Sequence, residues 1–294
     1  MIKILKNTLV EASCLLGESP VWDSYAHCLY WIDITSGQLH RFYIKNRKHE
    51  VLNFKRVVCA IARCSTGQIL IAFKRKIAIL NDFHIDSLRS KTTLLSERGI
   101  RFNDGQIDPN GRLWIGSMSE LGLKNQGVLM KVDSKFKATV ALDGLGVSNG
   151  MCWSRDKSTF YHIDTYQQQV KAYDYSEGSA SIGNPRVIAH IPKAWGKPDG
   201  MTIDIQGKLW IALWGGGAVS RWDPATGICI GKIDLPVSQV TSCVFGGDNL
   251  SDLYITSARI GLGGKKRLEE PLAGSVFKIS IPGVRGLPAN NFKL

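Results

Sequence analysis

The chain has 294 residues, of which 44% are hydrophobic and 21% charged, and its formal net charge is +12. This balance predicts a folded protein with a large core and excludes a disordered or fibrous chain. The sequence has no run of eighteen apolar residues, and Met1 to Asn7 lacks the apolar stretch of a signal peptide. The seven cysteines have no Cys-x-x-Cys spacing and mostly lie in apolar runs, which is typical of reduced thiols in the cytoplasm.

A short strand pattern returns six times along the chain. The copies are residues 29–33, 69–72, 113–116, 160–164, 209–212 and 253–256. Their starts lie about 40 to 49 residues apart, which is the blade spacing of a β-propeller. Because no linker separates the copies, the sequence predicts an all-β fold, a single six-bladed β-propeller domain spanning residues 1–294. We expect the segments Leu9 to Leu15 and Gly274 to Ile281 to help close the ring.

Polar residues recur at the point where each blade is expected to begin. Nine to twelve residues before each copy, the innermost strand should start and line the central channel. The residues there are Glu18, Cys59/Ala60, Asn103, Asn149, Asp199 and Thr241/Ser242. Asn-Gly and Asp-Gly pairs are also common turn residues, which is an alternative explanation for Asn149 and Asp199 taken singly. It does not explain why oxygen donors share one register in separate repeats, so we expect them to converge at one mouth of the channel.

Carboxylate and amide oxygens without clustered His or Cys favour one hard divalent cation, Ca²⁺, Mg²⁺ or Mn²⁺, and Zn²⁺ is also compatible. Three protein ligands would leave room for water and substrate. Such a cation polarises a carbonyl while a neighbouring carboxylate takes a proton from water. Competing motifs are weaker: Gly215-Gly216-Gly217 predicts a hairpin turn rather than a phosphate loop, and Gly116 to Ser119 lacks the closing glycine of a nucleophile elbow.

Four separated motifs resemble the senescence marker protein/regucalcin/gluconolactonase family, which also includes luciferin-regenerating enzyme. They are residues 16–22 (Leu-Gly-Glu-Ser-Pro-Val-Trp), 101–105 (Arg-Phe-Asn-Asp-Gly), 148–151 (Ser-Asn-Gly-Met) and 198–201 (Pro-Asp-Gly-Met). The resemblance covers nearly the whole chain. It implies a six-bladed propeller with one divalent metal in its channel, and a metal-dependent lactonase that hydrolyses sugar lactones.

The resemblance also implies roles for individual residues. Glu18, Asn149 and Asp199 match the metal ligands, and Asp199 also matches the proposed general base, for which Asp104 is the next candidate. Arg101 and Asn103 match residues that hold the substrate. Glu120 lies near a position where some members place a substrate-contacting acid, although its register is off by one. The segment 121–126 is short, so the particular substrate is not transferred from the vertebrate members.

Three functions are weighed. The first is lactonase activity on a small sugar lactone, with neither nucleic acid nor membrane as a partner. The second is a calcium-binding regulatory protein without turnover, and the third is a propeller scaffold that uses its positive charge to hold a partner. Basic clusters on a single face would favour a nucleic-acid partner, whereas scattered clusters would not. The sequence leaves open which lactone, which metal and which oligomeric state apply.

Overall fold

The computed structural model describes residues 7–294, and it is built almost entirely of β-strands, as predicted. Met1 to Lys6, which belong to the stretch inspected for a signal peptide, lie outside the described residues. The strands form six separate four-stranded sheets, and each sheet is one blade of the predicted six-bladed propeller. Within every blade the neighbouring strands are antiparallel, as in blade 1.

The first three blades follow one another along the chain. Blade 1 contains β2 (Gly17–Asp23), β3 (Cys28–Asp33), β4 (Gln38–Tyr43) and β5 (His49–Asn53). Blade 2 contains β6 (Val58–Arg63), β7 (Ile69–Phe73), β8 (Lys76–Leu80) and β9 (Leu88–Thr93). Blade 3 contains β10 (Ile100–Ile107), β11 (Leu113–Ser119), β12 (Gly127–Val132) and β13 (Ala138–Leu145).

The last three blades use the rest of the chain and one strand from its beginning. Blade 4 contains β14 (Ser148–Trp153), β15 (Thr159–Asp164), β16 (Gln169–Ser176) and β17 (Ser181–His190). Blade 5 contains β18 (Lys197–Ile203), β19 (Leu209–Trp214), β20 (Ala218–Asp223) and β21 (Ile228–Asp234). Blade 6 contains β22 (Val240–Gly246), β23 (Asp252–Ser257), β24 (Val276–Ser280) and β1 (Asn7–Val10).

The six predicted strands are the second strands of the six blades. They read as apolar runs because both of their faces are covered: every residue of β3 and of β7 is buried. Outer strands carry a polar, exposed pattern instead, as in β5. The core therefore lies between and within the blades, and the sequence repeat follows its most buried layer.

Two buried aspartates fasten the turns between the first and second strands of blades 3 and 5. Asp108 accepts hydrogen bonds from Trp114 Nε1 at 3.1 Å and from the Tyr175 hydroxyl at 2.9 Å. Asp204 accepts one from Trp210 Nε1 at 2.9 Å, again six residues further along the chain. Each of these carboxylates also accepts two backbone N–H groups of its own turn. The repeated motif Asp-x-x-Gly-x-Leu-Trp therefore stabilises the turn between the first and second strands of these blades.

The ring is closed by the two ends of the chain. β1 pairs antiparallel with β24, with Asn7 opposite Lys278 and Thr8 opposite Phe277. β1 begins two residues before the predicted segment Leu9 to Leu15 and overlaps only its first two residues. β24 lies inside the predicted segment Gly274 to Ile281. The remainder of the first segment is a crossing loop, in which Cys14 N donates to Gly274 O at 2.9 Å.

In the part of the chain that the structure describes, helices are short. One α-helix, α1 (Gly264–Glu269), carries the basic cluster Lys265-Lys266-Arg267 and was not predicted, because a turn and a half with no buried residue leaves no periodic pattern. Within residues 7–294 no helix is long and apolar enough to cross a membrane. All seven cysteines are free thiols, and six of them are buried.

Candidate functional site

The six innermost strands β2, β6, β10, β14, β18 and β22 start at one end of the channel, which we call the upper end. Each of them has an irregular register near its start, for example between Glu18 and Val21 and between Pro198 and Met201. A bulge adds a residue to one strand and re-aims its side chains. In blade 1 it places Ser19 at a φ of 49°, a left-handed value that is uncommon for serine. The irregularities fall on the predicted channel residues.

The predicted cation donors lie in three of these strands. Glu18 is in β2, Asn149 in β14 and Asp199 in β18, and their side chains are 9%, 5% and 8% exposed. Gly150 follows Asn149 and Gly200 follows Asp199, at places where neighbouring inner strands leave no room for a Cβ atom. A Cβ on Gly150 would lie 2.5 Å from Asp199 O, and one on Gly200 would lie 2.1 Å from Ser242 Oγ. Neither glycine has a positive φ, so the turn explanation for the Asn-Gly and Asp-Gly pairs is wrong, and close packing of neighbouring strands replaces it.

Carboxyl groups are concentrated at these donors, and the pKa of each is raised. Burial raises the pKa of Glu18 well above its ordinary value, and the charges of Asp199 and Asp104 raise it further. Burial, followed by the charge of Asp104, likewise raises the pKa of Asp199, while a hydrogen bond from Asn149 and the charge of Arg101 oppose the rise. Burial raises the pKa of Asp104 to about 6. Three carboxyl groups therefore share this end of the channel.

The predicted substrate-binding pair lies in β10. Arg101 Nη1 donates to Asn103 Oδ1 at 3.0 Å and to Phe102 O at 2.7 Å. Asn103 Nδ2 donates to Ser148 O at 3.0 Å, next to Asn149 in the following blade. The positive charge of Arg101 lowers the pKa of both Glu18 and Asp199, so it partly offsets the effects that raise them. A guanidinium has five N–H donors, so Arg101 retains others for a ligand.

Glu120 stands somewhat apart from this group. It directly follows β11 and forms an ion pair with Lys74 of blade 2. Burial raises the pKa of the Cys59 thiol to about 11, while Arg101 and Lys74 lower it and Glu120 raises it. The charges of Arg101, Lys74 and Glu120 are therefore all felt at Cys59 in β6.

Thr165 was not predicted, although it connects two donor strands. Asn149 Nδ2 donates to Thr165 Oγ1 at 3.0 Å, and Thr165 Oγ1 donates to Pro198 O at 2.9 Å, next to Asp199. Thr165 is buried. Since the amide nitrogen of Asn149 is held on this side, its oxygen is available to a ligand. The sequence carried no signal for this residue, because its partners lie in the neighbouring blade.

Replacing Thr165 with valine is expected to weaken binding of a divalent cation by about 10-fold or more, because residues that orient ligands typically contribute that much. The variant keeps the side-chain shape but removes the hydroxyl that holds Asn149. Calorimetric titration with Mn²⁺ measures the effect, and Thr165→Ser, which restores the hydroxyl, is the matched control. Equal affinities for the valine and serine variants would contradict this role.

Behind Asn149, a buried serine–histidine pair spans two strands of blade 4. Ser148 Oγ and His162 Nε2 are hydrogen-bonded at 2.8 Å, and both residues are buried. Burial, with a smaller effect of the Lys171 charge, lowers the pKa of His162 from 6.5 to about 3. Below about pH 6.5 the unfolded chain therefore binds a proton at this histidine that the folded chain does not bind.

The pair predicts a pH dependence of stability. As the pH falls from 7 to 5, His162 should lower the free energy of unfolding by about 1–2 kcal/mol. Urea denaturation of the wild type and of His162→Gln at both pH values measures this difference. Carboxyl groups with raised pKa change stability in the opposite direction, but they are common to both proteins and cancel. A glutamine variant that loses as much stability as the wild type on acidification would contradict the prediction.

The opposite, lower end of the channel is crossed by the C-terminal segment 281–294. Asn290 Nδ2 donates to Ile107 O at 3.0 Å, and Phe292 N donates to Arg63 O at 2.8 Å. A cavity of about 340 Å³ opens under this segment and is lined in part by Arg63, Trp153 and Pro288. The six predicted site residues are not among those lining it. We assign the candidate site to the upper end because the buried carboxyl groups meet there.

The basic clusters do not share one face. Loop 44–48, with Lys45, Arg47 and Lys48, lies at the lower end of blade 1. Lys74-Arg75-Lys76 and Lys265-Lys266-Arg267 lie at the upper end, in blades 2 and 6. This division between two ends does not support a nucleic-acid-binding face.

The donor set fits a hard divalent cation by its chemistry. Two buried carboxylates and an amide oxygen meet beside a third carboxyl group, and Arg101 is the cation that opposes their charge. Burying several carboxylates together without a positive charge lowers the stability of the fold. Oxygen donors are the ligands that Ca²⁺ and Mg²⁺ prefer. Among the described residues, no three His, Cys, Asp or Glu side chains form a ligand group. A cation at this site would therefore depend on the amide of Asn149.

Fold and site together define a six-bladed β-propeller with acidic and amide side chains gathered at one mouth of its channel. Residues 16–259 match the family described as SMP-30/Gluconolactonase/LRE-like region. The chain belongs to this family.

Individual relatives agree with the family assignment. Regucalcin of Danio rerio is 36% identical over 295 residues, covering 99% of both chains. A candidate sugar lactone lactonase of Bacillus subtilis (strain 168), YvrE, is 34% identical over 273 residues, covering 92% of this chain and 93% of that protein. The solved structure of regucalcin from Agrobacterium tumefaciens str. C58, described as a calcium-binding protein, is 29% identical with a TM-score of 0.93, covering 99% of this chain and 98% of that one.

Proposed function

We propose that this protein is a divalent-metal-dependent hydrolase that opens sugar lactones to sugar acids. The observation that carries the proposal is the meeting of buried carboxyl groups from blades 1, 3 and 5 beside Arg101 at one end of the channel. Membership of a family whose name includes gluconolactonase supports the lactone as substrate class. A single domain of residues 1–294 is part of the proposal, since β1 completes the last blade.

The roles of the residues follow from their chemistry. Glu18, Asn149 and Asp199 would hold the cation, which could be Ca²⁺, Zn²⁺, Mg²⁺ or Mn²⁺. When bound, such a cation polarises the carbonyl of the lactone. Asp199 accepts a proton from the water that attacks that carbonyl, as a general base.

The remaining predicted residues orient the substrate. Arg101 donates N–H groups to lactone oxygens or hydroxyls, and its bond to Asn103 keeps the two side chains aligned. Glu120 contacts the substrate at the edge of the upper end of the channel. The burial of the three donors limits access of bulk water to the reacting atoms.

We also propose that the protein works in a reducing compartment such as the cytoplasm, on a small molecule and without a nucleic-acid or membrane partner. The seven free cysteines support this compartment. A calcium-binding regulatory protein without turnover is the second candidate, and the description of the Agrobacterium relative favours it. The positively charged Arg101 near the donors argues for turnover, because a protein that only binds a metal ion needs no positively charged side chain at its site.

One experiment separates the two candidates. Chelator-treated protein is assayed on D-glucono-1,5-lactone with a pH indicator, corrected for spontaneous hydrolysis, before and after addition of each of the four cations. Hydrolysis that vanishes with the chelator and returns with a cation is the expected result. Cation binding measured by calorimetry without hydrolysis of this or other sugar lactones would favour the regulatory protein.

A further inference from the structure

Positive charge at the upper end lies mainly in two places: in α1 of blade 6, where Lys266 is paired with Glu270, and over blades 2 and 3. The loops 54–57, 74–75 and 94–99, together with the start of β10, form what we call the basic quadrant. Its cations are Lys55, Arg56, Lys74, Arg75, Arg98 and Arg101, and the carboxylates nearby in sequence are Glu97, Asp104 and Glu120. By contrast, the upper loops 146–147, 165–168 and 215–217 of blades 4 and 5 are uncharged, and loop 191–196 with the start of β18 carries Lys193 and Lys197.

The basic quadrant reaches the channel. Lys74 O accepts a hydrogen bond from Phe102 N at 2.8 Å, which fixes the 74–75 turn against β10 next to Arg101. Cys59 occupies in blade 2 the register that Glu18 occupies in blade 1, and the charges of Arg101, Lys74 and Glu120 all act on its thiol. Blade 2 therefore contributes positively charged side chains to the upper end of the channel, where blade 1 would contribute an oxygen ligand for a metal ion.

These cations are incompletely neutralised. Lys74 is paired with Glu120, while Arg75 Nη1 donates to Ser96 O at 3.3 Å and the Arg56 guanidinium lies 4.1 Å from the centre of the Phe73 ring. Neighbouring cations repel one another, and an anion bound among them relieves that repulsion. A polyhydroxylated neutral lactone would give this group no counter-charge.

We propose that the substrate is an anionic sugar lactone, bearing a carboxylate or a phosphate at the end of the molecule distal to the lactone carbonyl. This inference rests on the lactonase function proposed above. With the carbonyl beside the donors of blades 1, 4 and 5, the distal end of the substrate points towards blades 2 and 3. There Lys74 holds the anionic group together with those N–H groups of Arg101 that do not contact the lactone ring, and the other four cations attract it from solution.

Matched substrates test the inference. D-glucono-1,5-lactone is compared with its 6-phosphate, and D-glucono-1,4-lactone with D-glucaro-1,4-lactone, all with the cation-loaded protein. Charged walls around a cleft raise encounter rates by about 10–10³-fold. We expect kcat/KM for one anionic member to exceed that of its neutral partner by about 10-fold at low salt. The pair that responds identifies phosphate or carboxylate, and the advantage should shrink as salt rises towards 0.3 M, in line with the shorter screening length, about 6 Å or less.

Three variants locate the effect. Lys74→Gln should lower the ratio of anionic to neutral kcat/KM by about 5-fold, since a cation close to the bound group is lost. Glu120→Gln should raise the same ratio by releasing Lys74 from its ion pair. Lys135→Gln is the matched control: this exposed lysine lies in the lower turn of blade 3, and its removal should leave the ratio unchanged.

The outcomes separate this inference from the function on which it rests. Hydrolysis of neutral lactones with no advantage for either anionic partner would overturn the anionic substrate and leave the lactonase intact. A ratio that falls equally in Lys74→Gln and Lys135→Gln would overturn the basic quadrant as its location. Failure to hydrolyse any of the four lactones would overturn both proposals together.

Discussion

Replacing Asp199 with asparagine is expected to lower kcat for lactone hydrolysis by about 10²–10⁴-fold, the usual contribution of a general base. The substitution preserves size and keeps one oxygen that can contact a cation, but it removes the carboxylate that accepts the proton. Asp199 is buried and accepts a hydrogen bond from Asn149, so the asparagine variant should keep the side chain in place. The protein should keep its divalent cation at saturating concentration, which calorimetry measures alongside the kinetics.

The matched control for this substitution is Asp82→Asn, in an exposed loop at the lower end of blade 2, for which we expect the wild-type rate. Near-normal kcat in cation-loaded Asp199→Asn would mean that Asp199 is a ligand and no more. Asp104 would then be tested next, since burial already raises its pKa to about 6, a useful value for a base near neutral pH.

Replacing Glu18 with glutamine should produce two opposite shifts in stability. Without a cation the variant should melt higher than the wild type, because it lacks a buried carboxylate that faces Asp199 and Asp104. With a cation it should gain less than the wild type, since one negative charge has been lost from the donor set. At 100 times the Kd a ligand adds about 2.7 kcal/mol, so a weakening of 10-fold or more is readily measured by thermal denaturation with and without Ca²⁺.

Glu11→Gln provides the comparison for Glu18→Gln, because Glu11 is exposed in the loop leading to blade 1. Its melting temperatures should match those of the wild type under both conditions. If Glu18→Gln also responds to Ca²⁺ like the wild type, then Glu18 is not a ligand, and the acidic group around Asp199 would need another explanation.

The parts of the molecule that the sequence predicted share one physical cause. A second strand covered on both faces must be apolar, so β3, β7 and their counterparts stand out at regular spacing. The regular spacing then fixes a register, and that register predicted that Glu18, Asn149 and Asp199 belong to inner strands at one end. Buried carboxyl groups at this end agree with that prediction.

Other parts were beyond prediction because they depend on contacts between blades. The outer strands, such as β5 with alternating exposed residues, lack an apolar run that could mark them. Thr165 acts on Asn149 and on Pro198 across a blade boundary, and no local pattern signals such a bridge. The same holds for Lys74 and Glu120, whose ion pair joins blades 2 and 3. The crowding at Gly150 and Gly200 likewise depends on how neighbouring strands converge.

The pairing of β1 with β24 bears on how this protein is made. The strand at residues 7–10 pairs with residues 276–280, so the last blade cannot be completed until residues 276–280 have left the ribosome. Contacts between such distant segments form late in folding, because their loop-closure entropy is large. Glu18 lies just beyond the strand that closes the ring, whereas Asn149 and Asp199 belong to blades made much later. If the proposed cation site exists, the nascent chain should bind a cation only after residues 276–280 have been made, and chains shortened so that they lack β24 should have an open last blade and an incomplete ring.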